Sequence, residues 1–167
     1  MADEWSVERA VQDTERFMRG LGLPEMLRPE GLGTEYAFPT NVRFLTSLQL
    51  GDLQLRLCAW YTYLLDAIGR EESESVALDA VFEIKLGVKT HQLRVRSDEG
   101  RPPAQEVFRA LAVTEDDELK RLKQNLIARQ MRITRLQAQA KIYTEQLSRL
   151  SREQSRREGE QRLPGVG

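Results

Sequence analysis

Four cations lie within about twelve residues of one another, and their type and spacing suit the binding of an anionic ligand: Lys85, Lys89, Arg94 and Arg96. Lys85 and Lys89 are four residues apart, so in a helix they share one face. Such a group could follow a phosphate backbone, or it could be an ordinary solvated surface. No aromatic residue lies between Lys85 and Arg96. Nucleic-acid binding there would therefore depend on charge and tolerate many sequences.

Residues that could catalyse a reaction are few. His91 is the only histidine and Cys58 the only cysteine. A zinc site usually has three or four protein ligands, so these two residues are too few to form one. The apolar neighbours of Cys58 predict a small buried side chain. The sequence contains neither a glycine-rich phosphate loop nor a G-x-S-x-G motif. We therefore expect no enzyme activity, no metal and no cofactor.

Acidic clusters offer the other candidate metal ligands. They are Glu71, Glu72 and Glu74, and the run Glu115–Glu118. Both clusters lie near predicted helix starts or breaks, where carboxylates are stabilised by the helix dipole and by water. We interpret them as structural rather than as metal ligands.

The net charge of −1 hides a strong asymmetry along the chain. Residues 119–157 contain 11 basic and 2 acidic side chains, whereas residues 41–118 contain 9 basic and 14 acidic ones. Pairing within the segment cannot neutralise this charge. Two interpretations remain open: acidic side chains earlier in the chain pair with the basic segment, or a polyanion binds it.

The same segment has the clearest periodicity in the sequence. Apolar residues recur at alternating steps of three and four, which is the heptad pattern of a coiled coil. They are Leu119, Leu122, Leu126, Ile133, Leu136, Ala140, Tyr143, Leu147 and Leu150. Arg129 is the one charge in this series, and Thr114 is the predicted cap of the helix. We expect this helix to run from Glu115 to about Glu158, which is roughly 65 Å at 1.5 Å per residue. A helix of that length must cover its apolar face with another element. We expect either a helix from about Asn41 to Leu93 in the same chain or a neighbouring chain.

The elements together predict an all-α fold, a long antiparallel helical hairpin with a short N-terminal helical arm. Residues 1–40 form the arm, with a helix from Trp5 to Gly20, residues 41–158 form the hairpin, and residues 159–167 form a flexible tail. A β-strand is the alternative for Ala80–Val88, because β-branched and aromatic residues are frequent there. No apolar run is long enough for a membrane span, and the acidic start does not resemble a secretory signal. These features predict a cytoplasmic protein with no membrane contact.

The layout resembles that of the UvsY-type phage recombination mediators. The resemblance lies in a tryptophan-containing helix from Trp60 to Arg96, a glycine-containing turn at Ser97–Pro103, and a long helix from Thr114 to Arg157. It covers roughly residues 45–158. Residues 1–40 have no counterpart in it.

The resemblance implies a non-enzymatic mediator of DNA recombination and repair. Such a protein binds single-stranded DNA as a homo-oligomer, often a ring, and helps a RecA-like recombinase to load against single-strand-binding protein. A phage-encoded member would act in the host cytoplasm. The positions that match the family's DNA-binding region are Lys85, Lys89, Arg94 and Arg96. The resemblance also implies oligomerisation through the heptad face: Leu119, Leu122, Leu126, Ile133, Leu136, Tyr143, Leu147 and Leu150.

Two further functions stay open. The chain could be a structural or adaptor coiled coil whose basic helix pairs with acidic neighbours and binds no nucleic acid. It could also be a coiled-coil regulator that contacts duplex DNA. Salt dependence and the preference for single or double strands distinguish these possibilities.

Overall fold

The computed structural model describes residues 6–22, 26–30, 38–97 and 104–162. Four α-helices account for most of these residues: α1 (Val7–Gly20), α2 (Ser47–Arg96), α3 (Gln105–Glu115) and α4 (Asp117–Arg162). A 3₁₀ turn at Val42–Phe44 precedes α2, and the described residues contain no β-strand. The predicted all-α hairpin is confirmed, since α2 and α4 pack against each other.

Helix α1 begins and ends at residues whose chemistry explains its bounds. The Ser6 hydroxyl accepts the Arg9 N–H at 3.2 Å, which satisfies one of the unpaired donors of the first turn. Gly22 has a φ of 68°, a backbone conformation that only glycine adopts readily. The helix is amphipathic, yet none of its residues is buried. The predicted helix is confirmed from Val7 onward, and Trp5 lies outside the described residues.

Helix α2 is a single helix of 50 residues. It begins after Thr46, which exchanges two hydrogen bonds with Gln49 in a capping box. Asn41, near which the helix was expected to begin, instead caps the 3₁₀ turn, where its side-chain oxygen accepts the Arg43 N–H at 3.1 Å. The strand considered for Ala80–Val88 is wrong, because this segment is helical throughout. Its β-prone residues follow a helical period, and packing against α3 and α4 outweighs local propensity.

The boundary between α3 and α4 differs from the predicted one. Thr114 lies inside α3, where its hydroxyl donates to the Ala110 carbonyl oxygen at 2.8 Å. Asp116 is the residue that caps α4, accepting the N–H groups of Glu118 and Leu119 at 3.0 and 3.2 Å. The backbone bond from Leu119 contributes most to lowering the pKa of Asp116, and the bond from Glu118 and the charge of Lys89 lower it further. An ionised aspartate at this position also favours the helix dipole.

The chain forms two compact units, to each of which α2 and α4 contribute. The first comprises Met1–Pro24 and Gly69–Thr134. Its core contains Phe82 and Leu86 from α2, Ala112 from α3 and Leu119 from α4, with Leu122 and Leu126 packed against them. Helix α3 therefore covers the end of the α2–α4 pair within this unit.

The second unit comprises Glu25–Ile68 and Arg135–Gly167. One cluster joins Leu50 and Leu57 of α2 to Leu150 of α4, and another joins Leu64 and Ile68 to Ala140. Residues with higher numbers in α2 pack against residues with lower numbers in α4, so the two helices are antiparallel. The boundary at Ile68/Gly69 falls inside the predicted hairpin domain 41–158. The predicted boundaries at residues 40 and 158 stay predictions.

Two further predictions concern the burial of Cys58 and the end of α4. Cys58 is exposed, contrary to the prediction, because at 3.6 residues per turn it lies about 100–120° around α2 from the buried Leu57 and Leu64. Trp60 is half-buried, and the Arg28 guanidinium lies 5.6 Å from its ring centroid. Helix α4 continues through Gly159 to Arg162, four residues beyond the predicted end. Among the described residues, no helix has the length and apolarity to cross a membrane.

Gly69 provides a test of the unbroken α2. A Cβ atom added there would meet nothing within 4 Å, so alanine fits without strain. We expect Gly69→Ala to raise the free energy of unfolding by about 0.5–1 kcal/mol, because glycine loses more backbone entropy in a helix. Chemical denaturation measures this change. Gly69→Pro should lower stability by about 3 kcal/mol or more, and a destabilising alanine would contradict a continuous helix at this position.

Candidate nucleic-acid interface

Two of the four predicted DNA-binding cations form ion pairs with the start of α4. Lys85 Nζ contacts the Glu118 carboxylate, and Lys89 Nζ lies 3.6 Å from Asp116 Oδ2. Both pairs are partly exposed, so each contributes little to stability. They nevertheless place negative charge beside the predicted phosphate contacts. This surface is less positive than the α2 sequence alone indicates.

The other two predicted cations differ from each other. The Arg94 guanidinium lies 5.9 Å from the centroid of the Phe108 ring on α3, a cation–π arrangement that restrains the side chain. Arg96 is exposed in the last turn of α2. Neither residue has an ion pair within the part of the chain that the structure describes. The four predicted residues thus have different surroundings and do not form one uniform basic strip, and their binding of DNA stays a prediction.

The predicted oligomerisation residues lie against α2 of the same chain. Leu119, Leu122 and Leu126 belong to the core of the first unit, Leu136 and Tyr143 pack in the second unit, and Leu147 and Leu150 complete its other cluster. Ile133 is 4% exposed. The hairpin accounts for the burial of this face without a second chain. Oligomerisation through it stays a prediction.

The charged position within the apolar series, Arg129, pairs across the hairpin. Its two terminal nitrogens lie 3.2 Å from Glu71 Oε2 and 2.5 Å from Glu74 Oε2. Arg132 lies 3.4 Å from the same Glu71 oxygen. The acidic cluster of α2 therefore neutralises part of the basic helix, as one of the two open interpretations expects. Glu71 and Glu74 act as ion-pair partners within the hairpin.

Near the end of α4, two more arginines are held by a nearly buried carboxylate. Glu153 is 6% exposed and accepts hydrogen bonds from Arg156 and Arg157 at 2.7 and 2.8 Å. The hydrogen bonds from Arg156 lower the pKa of Glu153 most, followed by the hydrogen bond from Arg157. Together with the two positive charges, these bonds bring the pKa from 4.5 to about 2. Arg157 also donates to the carbonyl oxygens of Val42, Arg43 and Leu45. This guanidinium thus ties the turn before α2 to α4.

Four basic residues of α4 in the second unit are exposed and have no carboxylate partner among the described residues. They are Arg135, Lys141, Arg149 and Arg152. With the buried series at heptad positions a and d, these four occupy positions b, c and f, which face away from α2. Glu145 is the one acidic residue on the same outer face. We call Arg135, Lys141, Arg149 and Arg152 the outer basic face.

The outer basic face has the length of a short nucleic-acid segment. Arg135 and Arg149 are both at heptad position c, and their 14-residue separation corresponds to about 21 Å along the helix. A stacked strand places one phosphate about every 3.4 Å, so about six phosphates span this distance. These four residues are not among the DNA-binding residues predicted from the sequence. Sorting the basic residues of 119–157 by heptad position would have separated them from Arg129 and Arg157.

No protein-family model, curated protein or solved structure matches the chain. A functional assignment therefore depends on the residues and geometry described above.

Glu153 makes acid stability a direct test of its bonds with Arg156 and Arg157. Because its folded-state pKa is below its ordinary value, its stabilising effect is present above about pH 4.5 and is lost as the pH falls towards about 2. We expect Glu153→Gln to be less stable than wild type at pH 7, and the difference to be much smaller at pH 2.5. Thermal unfolding at both pH values measures the difference. An equal difference at the two pH values would show that Glu153 does not act through its charge.

Proposed function

We propose that the protein is a non-catalytic helical hairpin that binds single-stranded nucleic acid and acts as a recombination mediator. The observation that carries this proposal is the outer basic face, whose four exposed cations have no carboxylate partner among the described residues. Counterion release from a bound strand would supply the binding free energy. No catalytic step is part of the proposal.

The distribution of ion pairs favours α4 over α2 as the contact surface. Lys85 and Lys89 each face a carboxylate at the start of α4, whereas Arg135 and Arg149 face none that the structure describes. A phosphate approaching Lys85 would compete with Glu118, and one approaching Arg149 would not. Arg94 and Arg96 could extend the contact. In this proposal the outer basic face supplies the main one.

The mediator role comes from the resemblance to UvsY-type proteins and is supported by the long hairpin and the separate basic surface. A single subunit offers few phosphate contacts, so useful affinity requires several subunits on one strand. A RecA-like recombinase and single-strand-binding protein are the proposed protein partners, in the cytoplasm of the cell. Residues of α1, which are not buried, are available for such contacts.

A structural or adaptor protein that binds no nucleic acid is the second candidate. The pairing of Arg129 and Arg132 with Glu71 and Glu74 favours it, because these basic residues serve the hairpin itself. Exposed apolar side chains on α2, including Leu48 and Leu55, suit contacts with other proteins. The two candidates differ in one measurable property, which is salt-sensitive binding to nucleic acid.

Fluorescence anisotropy with labelled single- and double-stranded oligonucleotides tests the proposal across a salt series. We expect wild type to prefer single strands. Arg135→Gln combined with Arg149→Gln should weaken binding about tenfold and make the slope of log K against log salt shallower by about 1.4, since each phosphate contact on a single strand contributes about 0.7. Mass photometry on the same samples counts the subunits.

Lys85→Gln combined with Lys89→Gln is the matched control, since it removes the same charge from the paired surface. We expect this variant to weaken binding less than the α4 variant. A larger effect at Lys85 and Lys89 would move the interface to α2. If neither strand form binds at low salt, the nucleic-acid proposal is wrong and the adaptor is favoured.

A further inference from the structure

Within the first unit, a small polar cavity lies between the end of α2 and the start of α3. Its volume is about 140 Å³, smaller than the roughly 300–1,000 Å³ of sites for drug-sized ligands. The lining residues are Gly87, Thr90, His91, Arg94, Gln105 and Arg109. Those of α2 recur at steps of three and four, and those of α3 are four apart, so each helix contributes one face. Gly87 leaves room because it has no side chain.

The charges at this cavity favour an anion. Arg94 is stacked on Phe108, and no carboxylate of the described residues pairs with it. Arg109 bonds both oxygens of Glu83 at 2.8 Å, but it does so through one nitrogen, Nη2. The Nη1 and Nε donors of Arg109 are not used by Glu83. His91 adds two ring nitrogens at the rim.

The start of α3 lies beside the same cavity. Ala104 occupies the cap position and makes no side-chain hydrogen bond, so among the described residues no side chain satisfies the first N–H groups of the helix. These groups and the helix dipole favour an anion at this end. Gln105, the first residue of α3, lines the cavity.

Thr90 is the independent observation that points to a ligand. It lines the cavity and is only 8% exposed, and its hydroxyl oxygen has no hydrogen-bond partner among the described residues. Buried hydroxyl groups are nearly always hydrogen-bonded, because leaving one unpaired is unfavourable. A small oxyanion in the cavity would offer the acceptor that Thr90 lacks once the side chain rotates towards it.

We propose that this cavity binds a single phosphate group, held by Arg94, Arg109, His91, Gln105 and the Thr90 hydroxyl. The phosphate could be inorganic phosphate or the terminal phosphate of a nucleic-acid strand. Both carry the same oxyanion. The site is separate from the outer basic face and does not depend on the proposed function.

Calorimetric titration of the full chain with inorganic phosphate tests the site, with ionic strength held constant by chloride. We expect saturable binding that Arg94→Gln weakens at least tenfold. Arg96→Gln removes the same charge two residues away, outside the cavity, and should change the affinity less than twofold. Equal losses in the two variants, or no saturable binding to wild type, would overturn the proposal.

Thr90→Val gives a second readout that a purely structural role would not produce. Without phosphate, the variant should melt at or above the wild-type temperature, since it removes an unpaired buried hydroxyl. With phosphate, wild type should gain thermal stability and the variant should gain less. A variant that melts lower without phosphate and keeps the full phosphate-dependent gain would contradict the assignment of Thr90.

The source of the phosphate is decided with thymidine dinucleotides that carry or lack a 5′-phosphate. Tighter binding of the phosphorylated dinucleotide than of inorganic phosphate assigns the site to a strand end. Binding of inorganic phosphate alone assigns it to the small ion. Arg135→Gln with Arg149→Gln should leave inorganic phosphate binding unchanged in either case, so failure of the outer basic face and failure of this site are distinguishable.

Discussion

The apolar face that α4 turns towards α2 is the constraint on which the other features depend. Leu119, Ala140 and Leu150 are buried by α2 partners in the two units, and a helix as long as α4 would not be stable in water without such packing. This packing fixes which side of α4 faces solvent. The charges on the inner edges can pair with α2, and those on the outer side cannot.

The pairing explains why a segment with 11 basic residues presents a much smaller basic surface. Arg129 and Arg132 lie beside Glu71 and Glu74, and Arg156 and Arg157 hold Glu153. Each of these arginines is paired with a carboxylate, and the nearly buried Glu153 is both paired and hydrogen-bonded, because an unpaired charge there would be strongly destabilising. In the second unit, the outer basic face is the part of this charge that stays open to a ligand. Net charge along the sequence therefore overstates the charge that another molecule meets.

Much of the fold could be predicted because heptad periodicity is a local signal that tertiary packing preserves. The same signal placed Leu119 to Leu150 on one face, yet it could not say whether that face meets α2 or a second chain. Thr114 and Asp116 both fit the chemistry of a cap, and only the backbone geometry distinguishes them. Glycine is unfavourable in a helix by local propensity, yet α2 continues unbroken through Gly51, Gly69 and Gly87, because packing contacts with residues far away in sequence offset that cost.

The candidate sites were less predictable because their residues come from segments that are far apart in the sequence. Lys85 and Lys89 look available in the sequence, since Glu118 and Asp116 are about 30 residues away along the chain. The cavity of Arg94 and Arg109 is lined by two helices, α2 and α3, and no sequence motif marks it.

The outer basic face and this cavity would use phosphate differently. As proposed, the outer basic face is a line of separate charges whose affinity for a strand would grow with the number of subunits bound to it, whereas the cavity would hold one phosphate group within one subunit. A protein with both could hold a strand along its length through many weak contacts and recognise a terminal phosphate through one specific contact.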